Sequence, residues 1–449
     1  MSAVPQQPAT VAAAQPRPTL GVFDACMMIV GIVIGVGIFR APAVVASNVP
    51  DALSYLLLWV AGGIISLIGA LCYAELASTY PGAGGEYNFL RRAFGDSISF
   101  LFAWARMTVI QTGAIALVAF VFGDYASQIV GLGPAGAAIY AAAAIIVLTG
   151  LNVIGTAQGK LLQNVLTLAL VVALAVTIIT GLAFAPAAPQ PASLQPASYS
   201  GLAMILILVT YGGWNEAAYL TAELRDARRN IVRALVIGIS VITACYLLIN
   251  LAYVNALGLS GLRESKAVAA DLVRLTMGDA GAVVLSLLVM AAALSTLNAT
   301  IFTGARTNYA FGRDFPLFSL LGHWNQSNQT PVNALLVQGA IALVLVVVGS
   351  MTRDGFSTMV DYTAPAFWFF FLLVGLSLFV FRRWEPEHER SFNVPFYPVT
   401  PLVFCATCVY MLHSSLDYVR LGALLSVGVL LLGVPVLLWA RKSADVGRG

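Results

Sequence analysis

The sequence predicts an all-α polytopic membrane protein, on three observations. Of 449 residues, 59% are apolar (AVILMFWYC) and only 10% are charged, against roughly 25% charged in an ordinary soluble domain. The apolar residues gather in long unbroken runs, and a spanning helix needs about 20 such residues. The basic residues are skewed to alternate connections between those runs. Together with a mean hydropathy of +0.88, these features exclude a disordered chain and a soluble enzyme of ordinary make-up. A barrel is excluded too, since its strands of about ten residues alternate in polarity. In hydrocarbon the backbone must satisfy its own hydrogen bonds, and a helix does so within one segment.

Residues 1–19 are Pro-, Ala- and Gln-rich and read as a disordered tail; they lack the basic start of a signal peptide. Twelve runs follow, at roughly 21–47, 54–77, 97–123, 134–152, 159–183, 200–223, 233–256, 281–311, 332–350, 357–382, 398–414 and 418–440. They form one membrane domain over 20–440, with a short tail at 441–449. If the N-terminus is inside, 16 of the 23 Lys and Arg fall in inner loops and tails, five fall in outer loops, and Arg40 and Arg106 lie within spans. That bias puts both termini in the cytoplasm of a cell-membrane (inner-membrane) protein. Residues 184–199 are an uncharged Pro/Ala-rich outer linker, whereas the apolar, glycine-rich 79–94 segment re-enters from the inner face. The five cysteines lie in apolar runs and are odd in number, so a disulfide framework is not expected, and Cys405-x-x-Cys408 reads as packing. No phosphate loop, Ser/His/Asp set or metal spacing is present, so neither an enzyme, a cofactor nor a nucleic-acid partner is expected, and the oligomeric state is left open.

Span 1 carries Gly31, Gly35 and Gly37 near its middle, and span 6 carries Gly212 and Gly213. Glycine costs up to about 1 kcal/mol against alanine inside a helix. Two such clusters in spans 1 and 6 fit a five-plus-five inverted repeat, spans 1–5 (about 20–183) against spans 6–10 (about 200–382), with helices 11–12 (about 398–440) outside it. Interrupted helices at matching positions of two halves point to a transporter's substrate site. A break frees amides at the start of one half-helix, which suit a carboxylate, and carbonyls at the end of the other, which suit an ammonium. Val36, Gly37 and Ile38 would offer amides; Val33, Val209 and Gly212 would offer carbonyls. Gly31-x-x-x-Gly35 is equally a small-residue packing face.

GIVIGVGIF, YGGWNEAAYLTAEL and STLNATIFTGARTNYAFGRD in spans 1, 6 and 8 resemble the amino acid–polyamine–organocation (APC) superfamily. ELASTYPGAGGEYNFL and FRRWEPEHERSFNVPFYPVTP resemble it as well, and all five occur in family order over about 20–440. Tyr211-Gly212-Gly213-Trp214-Asn215 is similar to the L-type amino acid transporter-like branch. The resemblance implies twelve helices, an inverted repeat, alternating access and sodium-independent amino acid transport. It also implies that Val36 and Gly37 hold the carboxylate, that Val33, Val209 and Gly212 hold the amino group, and that Asn215 contacts the amino end. Three positions depart from the pattern. Val36 stands where many members have Ser or Thr, Val209 where the gating residue is often aromatic, and Leu170 where many have a lysine.

Several polar residues carry two readings each. Glu216 is a coupling acid or an interhelical hydrogen-bonding group; Asn215 beside it does not titrate, which favours exchange over proton coupling. Gln111 and Thr112 line the pocket or pack, and Asn298 lines it or bonds across helices. Glu75 and Glu223 pair with inner-loop arginines as a gate or as a solvated pair, and Arg106 snorkels to the inner interface. The expected function is sodium-independent exchange of neutral L-amino acids. A proton-coupled symporter and a non-transporting amino acid sensor are the alternatives.

Overall fold

A computed structural model describes residues 21–80, 85–155, 160–188, 200–215, 224–325, 327, 330–352, 354–417 and 421–446. Their regular structure is helical apart from isolated bridge residues, among them the antiparallel pair Asn325 and Thr330. In chain order the helices are α1 Val22–Val33, α2 Ala41–Ala46, α3 Ala52–Thr79, α4 Gly85–Phe94, α5 Asp96–Ala105, α6 Gln111–Ile129, α7 Gly136–Ile154 and α8 Lys160–Ile179. Then come α9 Ser200–Thr210, α10 Ala227–Glu264, α11 Val268–Asp314, α12 Val332–Ser350, α13 Gly355–Trp384, α14 Val399–Asp417 and α15 Leu421–Val446. A π-turn at Arg106–Ile110 joins α5 to α6, and a second at Thr180–Phe184 ends α8.

Among the described residues nine helices are long and apolar enough to cross a membrane, and Leu170–Phe184 and Gly201–Thr210 are shorter apolar helices. The protein is therefore an all-α, multi-pass membrane protein. Side-chain caps start two of the long helices. Asp51 accepts the Ser54 N–H at 2.8 Å and Asp354 accepts that of Ser357 at 3.3 Å, each satisfying an amide that the helix cannot. α10 and α11 bend at Gly258 (φ 64°) and Gly278 (φ 68°).

Lipid tails are as apolar as leucine, so helices in a membrane associate through close packing and hydrogen bonds. α3 shows how. A methyl group on Gly69 would lie 2.7 Å from the rings of Trp214 and Phe404, so only glycine admits both there. In the latter part of the 79–94 segment, α4 buries Glu86, Phe89, Leu90 and Ala93. α13 gives the molecule its two ends. Asp354 at its N-cap meets Arg40, and Arg382 in its last turn meets Glu75. At 1.5 Å per residue these two points are about 42 Å apart.

Candidate substrate site at the two helix interruptions

α1 stops at Val33, and after Ile34 and Gly35 the chain restarts as a 3₁₀ turn at Val36–Phe39. The first amides of such a segment have no acceptor within it. Val36, Gly37 and Ile38 supply those amides. α9 stops at Thr210 in a turn over 211–213. Gly213 has φ 108°, a conformation that suits glycine and few other residues. The Val209 carbonyl accepts the Gly212 N–H at 3.1 Å.

The two interruptions meet. A Cβ on Gly37 would sit 3.6–3.9 Å from Thr210, in van der Waals contact. Tyr246 of α10, fully buried, places its hydroxyl 3.0 Å from the Val33 carbonyl and 3.0 Å from the Thr210 carbonyl. These are the last carbonyls of the two half-helices, and one phenol proton serves both. Two more tyrosines hold the restarted segment: Tyr253 donates to the Ile38 carbonyl at 3.4 Å and Tyr125 to that of Phe39 at 3.0 Å. Freed carbonyls are thus met by phenols. Sequence reading missed all three, although Tyr246, Asn250 and Tyr253 share one face of α10 by their spacing of four and seven.

Asn215 is buried and donates its amide to Glu86 Oε1 at 3.1 Å. A carboxylate accepts only, so the amide nitrogen faces Glu86 and Oδ1 remains an acceptor. Tyr73 also donates to Glu86, at 2.8 Å, and Arg106 Nη1 lies 3.4 Å from it. Arg106 does not snorkel: its side chain is 11% exposed, turned to this buried carboxylate from the π-turn. Glu86 was not singled out from sequence, because its burial depends on α4 folding back against α13 and on partners from α3 and beyond α9. Glu216 and Glu223 lie outside the described residues, and so do the side chains of Asp24 and Lys160. Leu170 is buried in α8.

The remaining candidates are engaged between or within helices. Gln111 donates to the Thr300 carbonyl of α11 at 2.9 Å, Thr112 bonds back to the Thr108 carbonyl at 2.8 Å, and Asn298 accepts from Asn152 of α7 at 2.7 Å. In this structure their side chains make packing bonds. Behind Gly212 a small cavity is walled by Ile65, Leu208, Trp214, Phe367, Phe371 and Phe404, with Ser66 and Trp368 at its edge. Ser66 Oγ and Trp368 Nε1 are buried there with no hydrogen-bond partner among the described residues.

Two charged clusters bound the molecule. At one end Arg40 is 4% exposed and grips Asp124 of α6 at 3.0 Å and Asp354 at 2.7 Å. At the other, Glu75 is 2% exposed and takes both arms of Arg382 at 2.8 and 2.7 Å, Arg390 at 3.6 Å and the Val394 N–H at 2.6 Å. Glu75 pairs with arginines as expected, and it is buried, not solvated.

The profile of the family described as amino acid permease matches residues 20–427. The chain is 33% identical over 414 residues to the b(0,+)-type amino acid transporter 1 of Mus musculus, covering 88% of this chain and 82% of that protein. It is 31% identical over 450 residues to the Large neutral amino acids transporter small subunit 2 of Mus musculus, covering 95% and 82%. It is 25% identical over 435 residues to the Serine/threonine exchanger SteT of Bacillus subtilis, covering 95% and 97%. With interrupted helices that converge, a membrane-spanning helical frame and a family profile that spans most of its length, the chain belongs to the amino acid permease family.

Proposed function

We propose that this protein exchanges neutral amino acids across the cell membrane by alternating access, without sodium and without enzymatic chemistry. The observation that carries the proposal is the meeting of two helix interruptions. In this reading the amides of Val36, Gly37 and Ile38 bind the substrate carboxylate, and the carbonyls of Val33, Val209 and Gly212, with Asn215 Oδ1, bind its ammonium once substrate displaces the bonds they make here. A zwitterion's two ends are thereby matched with no charged side chain in contact. Relatives named as amino acid transporters and as an exchanger support the reading. The frame we infer has twelve spans, a five-plus-five inverted repeat broken in spans 1 and 6, and both termini in the cytoplasm. The Arg40 end then faces outward.

The test is counterflow. Proteoliposomes preloaded with a neutral amino acid should take up labelled substrate much faster than empty ones, with or without sodium. Equal rates overturn exchange, and net uptake driven by a pH gradient would instead assign proton coupling. Binding without flux would make the protein a sensor. For orientation, a cysteine at exposed Ala187 should react with an impermeant thiol reagent in intact cells and one at exposed Glu389 should not; the reverse pattern overturns the topology.

A further inference from the structure

The last turns of α11 carry two arginines that no carboxylate among the described residues compensates. Arg306 is partly buried, and its guanidinium lies 3.2 Å from the centre of the Phe302 ring and 5.9 Å from that of Trp324. Among the described residues its one hydrogen bond runs to the Phe302 carbonyl at 3.2 Å, which already serves the helix. Arg313, two turns on, lies 6.0 Å from the Tyr309 ring, which meets Trp324 edge-on at 5.2 Å. Among the described residues neither arginine has a carboxylate within ion-pair reach. Arg40, Arg92, Arg106 and Arg382 all do.

The face is turned away from the protein. Phe302 is 42% exposed, and Thr303, Ala310 and Arg313 are exposed on the same stripe. The stripe begins where the apolar stretch of α11 ends. Tryptophan and tyrosine mark headgroup depth in membrane proteins, and a guanidinium at that depth takes a phosphate through its planar fork. We infer that Arg306 and Arg313, framed by Phe302, Tyr309 and Trp324, bind the headgroup of an anionic phospholipid. The rings hold Arg306 flat, so its outer edge faces the phosphate. The Glu75 end of the molecule is where this site lies: Tyr87, next to Glu86, reaches Asp314 at 3.4 Å.

The experiment uses the whole protein, exchanged in detergent with an equimolar mixture of phosphatidylglycerol and phosphatidylcholine and analysed by native mass spectrometry. The wild type should retain phosphatidylglycerol in preference. Arg306→Gln should weaken retention about fivefold and the double substitution with Arg313→Gln about thirtyfold. Arg383→Gln, an exposed arginine at the same end, should leave retention unchanged. No lipid preference in the wild type, or an equal loss for Arg383→Gln, overturns the site. Displacement of the lipid by inorganic phosphate also overturns it, since it would show a soluble-anion site. Should Arg306→Gln not fold, Arg313→Gln alone, fully on the surface, should still cost about fivefold, and no loss there overturns the proposal.

Discussion

The two ends of the molecule are closed by different means. At the Arg40 end one buried guanidinium ties three separate parts of the chain: the restarted half of the first interrupted helix, α6 and α13. At the Glu75 end closure is spread over several groups. Glu75 holds Arg382 and Arg390. Separately, Glu385 accepts from Tyr80 at 2.8 Å and from Arg92 at 3.0 Å, and Arg92 lies over the Tyr80 ring at 4.5 Å. That second cluster is half open to water, and a cleft of about 770 Å³ opens beside Tyr80, Asn88, Arg92 and His388. A single buried clamp opens all at once when its centre is removed, whereas a distributed network loses strength in steps. An exchanger that must release one end while holding the other is served by that asymmetry.

The largest effect should come from Arg40→Met. Removing one partner of a buried ion pair typically costs about 3–5 kcal/mol, because the other charge stays buried alone. Here two carboxylates would be left facing each other. In a background without the native cysteines, a cysteine at Ile38, fully buried two residues before Arg40, should be inert in the parent and react with an impermeant reagent in the Arg40→Met variant. Exchange should fall to background. An inert Ile38 cysteine in both would show that the clamp does not close this end. Asp354→Asn, whose side chain is one-third exposed, should weaken closure by no more than about 1 kcal/mol.

Glu75→Gln comes next. It keeps the shape of the carboxylate but removes the charge that faces Arg382 and Arg390. Charge-assisted hydrogen bonds are worth about 1.5–3 kcal/mol each, and the 20% exposure of Arg382 reduces that. The thermal midpoint should fall and exchange should slow, yet the Ile38 cysteine should stay inert, because the Arg40 end is untouched. Reaction at Ile38 would mean that the two ends are not separable.

Between the ends, Tyr246→Phe sharpens the comparison at the site itself. The ring contacts with Tyr211 at 4.9 Å and Trp59 at 5.9 Å would survive, and only the hydroxyl shared by Val33 and Thr210 would go. One neutral hydrogen bond is worth about 1 kcal/mol, so a rise of roughly fivefold in the apparent KM for an amino acid is expected. Unchanged KM with unchanged exchange rate would show that the bridge does not position the carbonyls.

Much of this was legible in the sequence, and the rest was hidden for definite reasons. Run length and glycine clustering depend on local chain chemistry, so the interruptions at 34–35 and 211–213 fell inside the predicted spans. Partners distant in sequence were not legible. Arg40 is 84 residues from Asp124 and 314 from Asp354, and nothing local marks it as a clamp. Asn215 was read as a substrate contact, but its bond to Glu86 links residues 129 apart. Gln111 and Asn298 were polar residues in apolar helices, and their bonding partners depend on which helices neighbour them.

The smallest effect expected is a pH dependence confined to the Glu75 end. Burial pulls the Glu385 carboxyl upward, but the hydrogen bonds from Tyr80 and Arg92 and the Arg92 charge outweigh it, so it lies below the ordinary carboxylate range. Burial, then the bond to Glu385, pushes Tyr80 up to about 12, so the phenol keeps its proton and remains a donor at any physiological pH. A carboxyl that is more acidic folded than unfolded adds stability above its unfolded value, near 4.3, and loses it as pH falls through the lower folded value. The cluster of Tyr80, Arg92 and Glu385 should therefore hold at neutral pH and loosen only below about pH 4. Because it is partly exposed, its contribution is small and sensitive to salt. A cysteine at Asn88, beside the cleft, should react faster with a pH-tolerant thiol reagent in that acid range, and Glu385→Gln should raise the neutral rate and flatten the profile. An acid-induced rise that persists in Glu385→Gln would move the titrating group elsewhere in the network. A parallel rise at the Ile38 cysteine would show that protonation at one end also releases the Arg40 clamp.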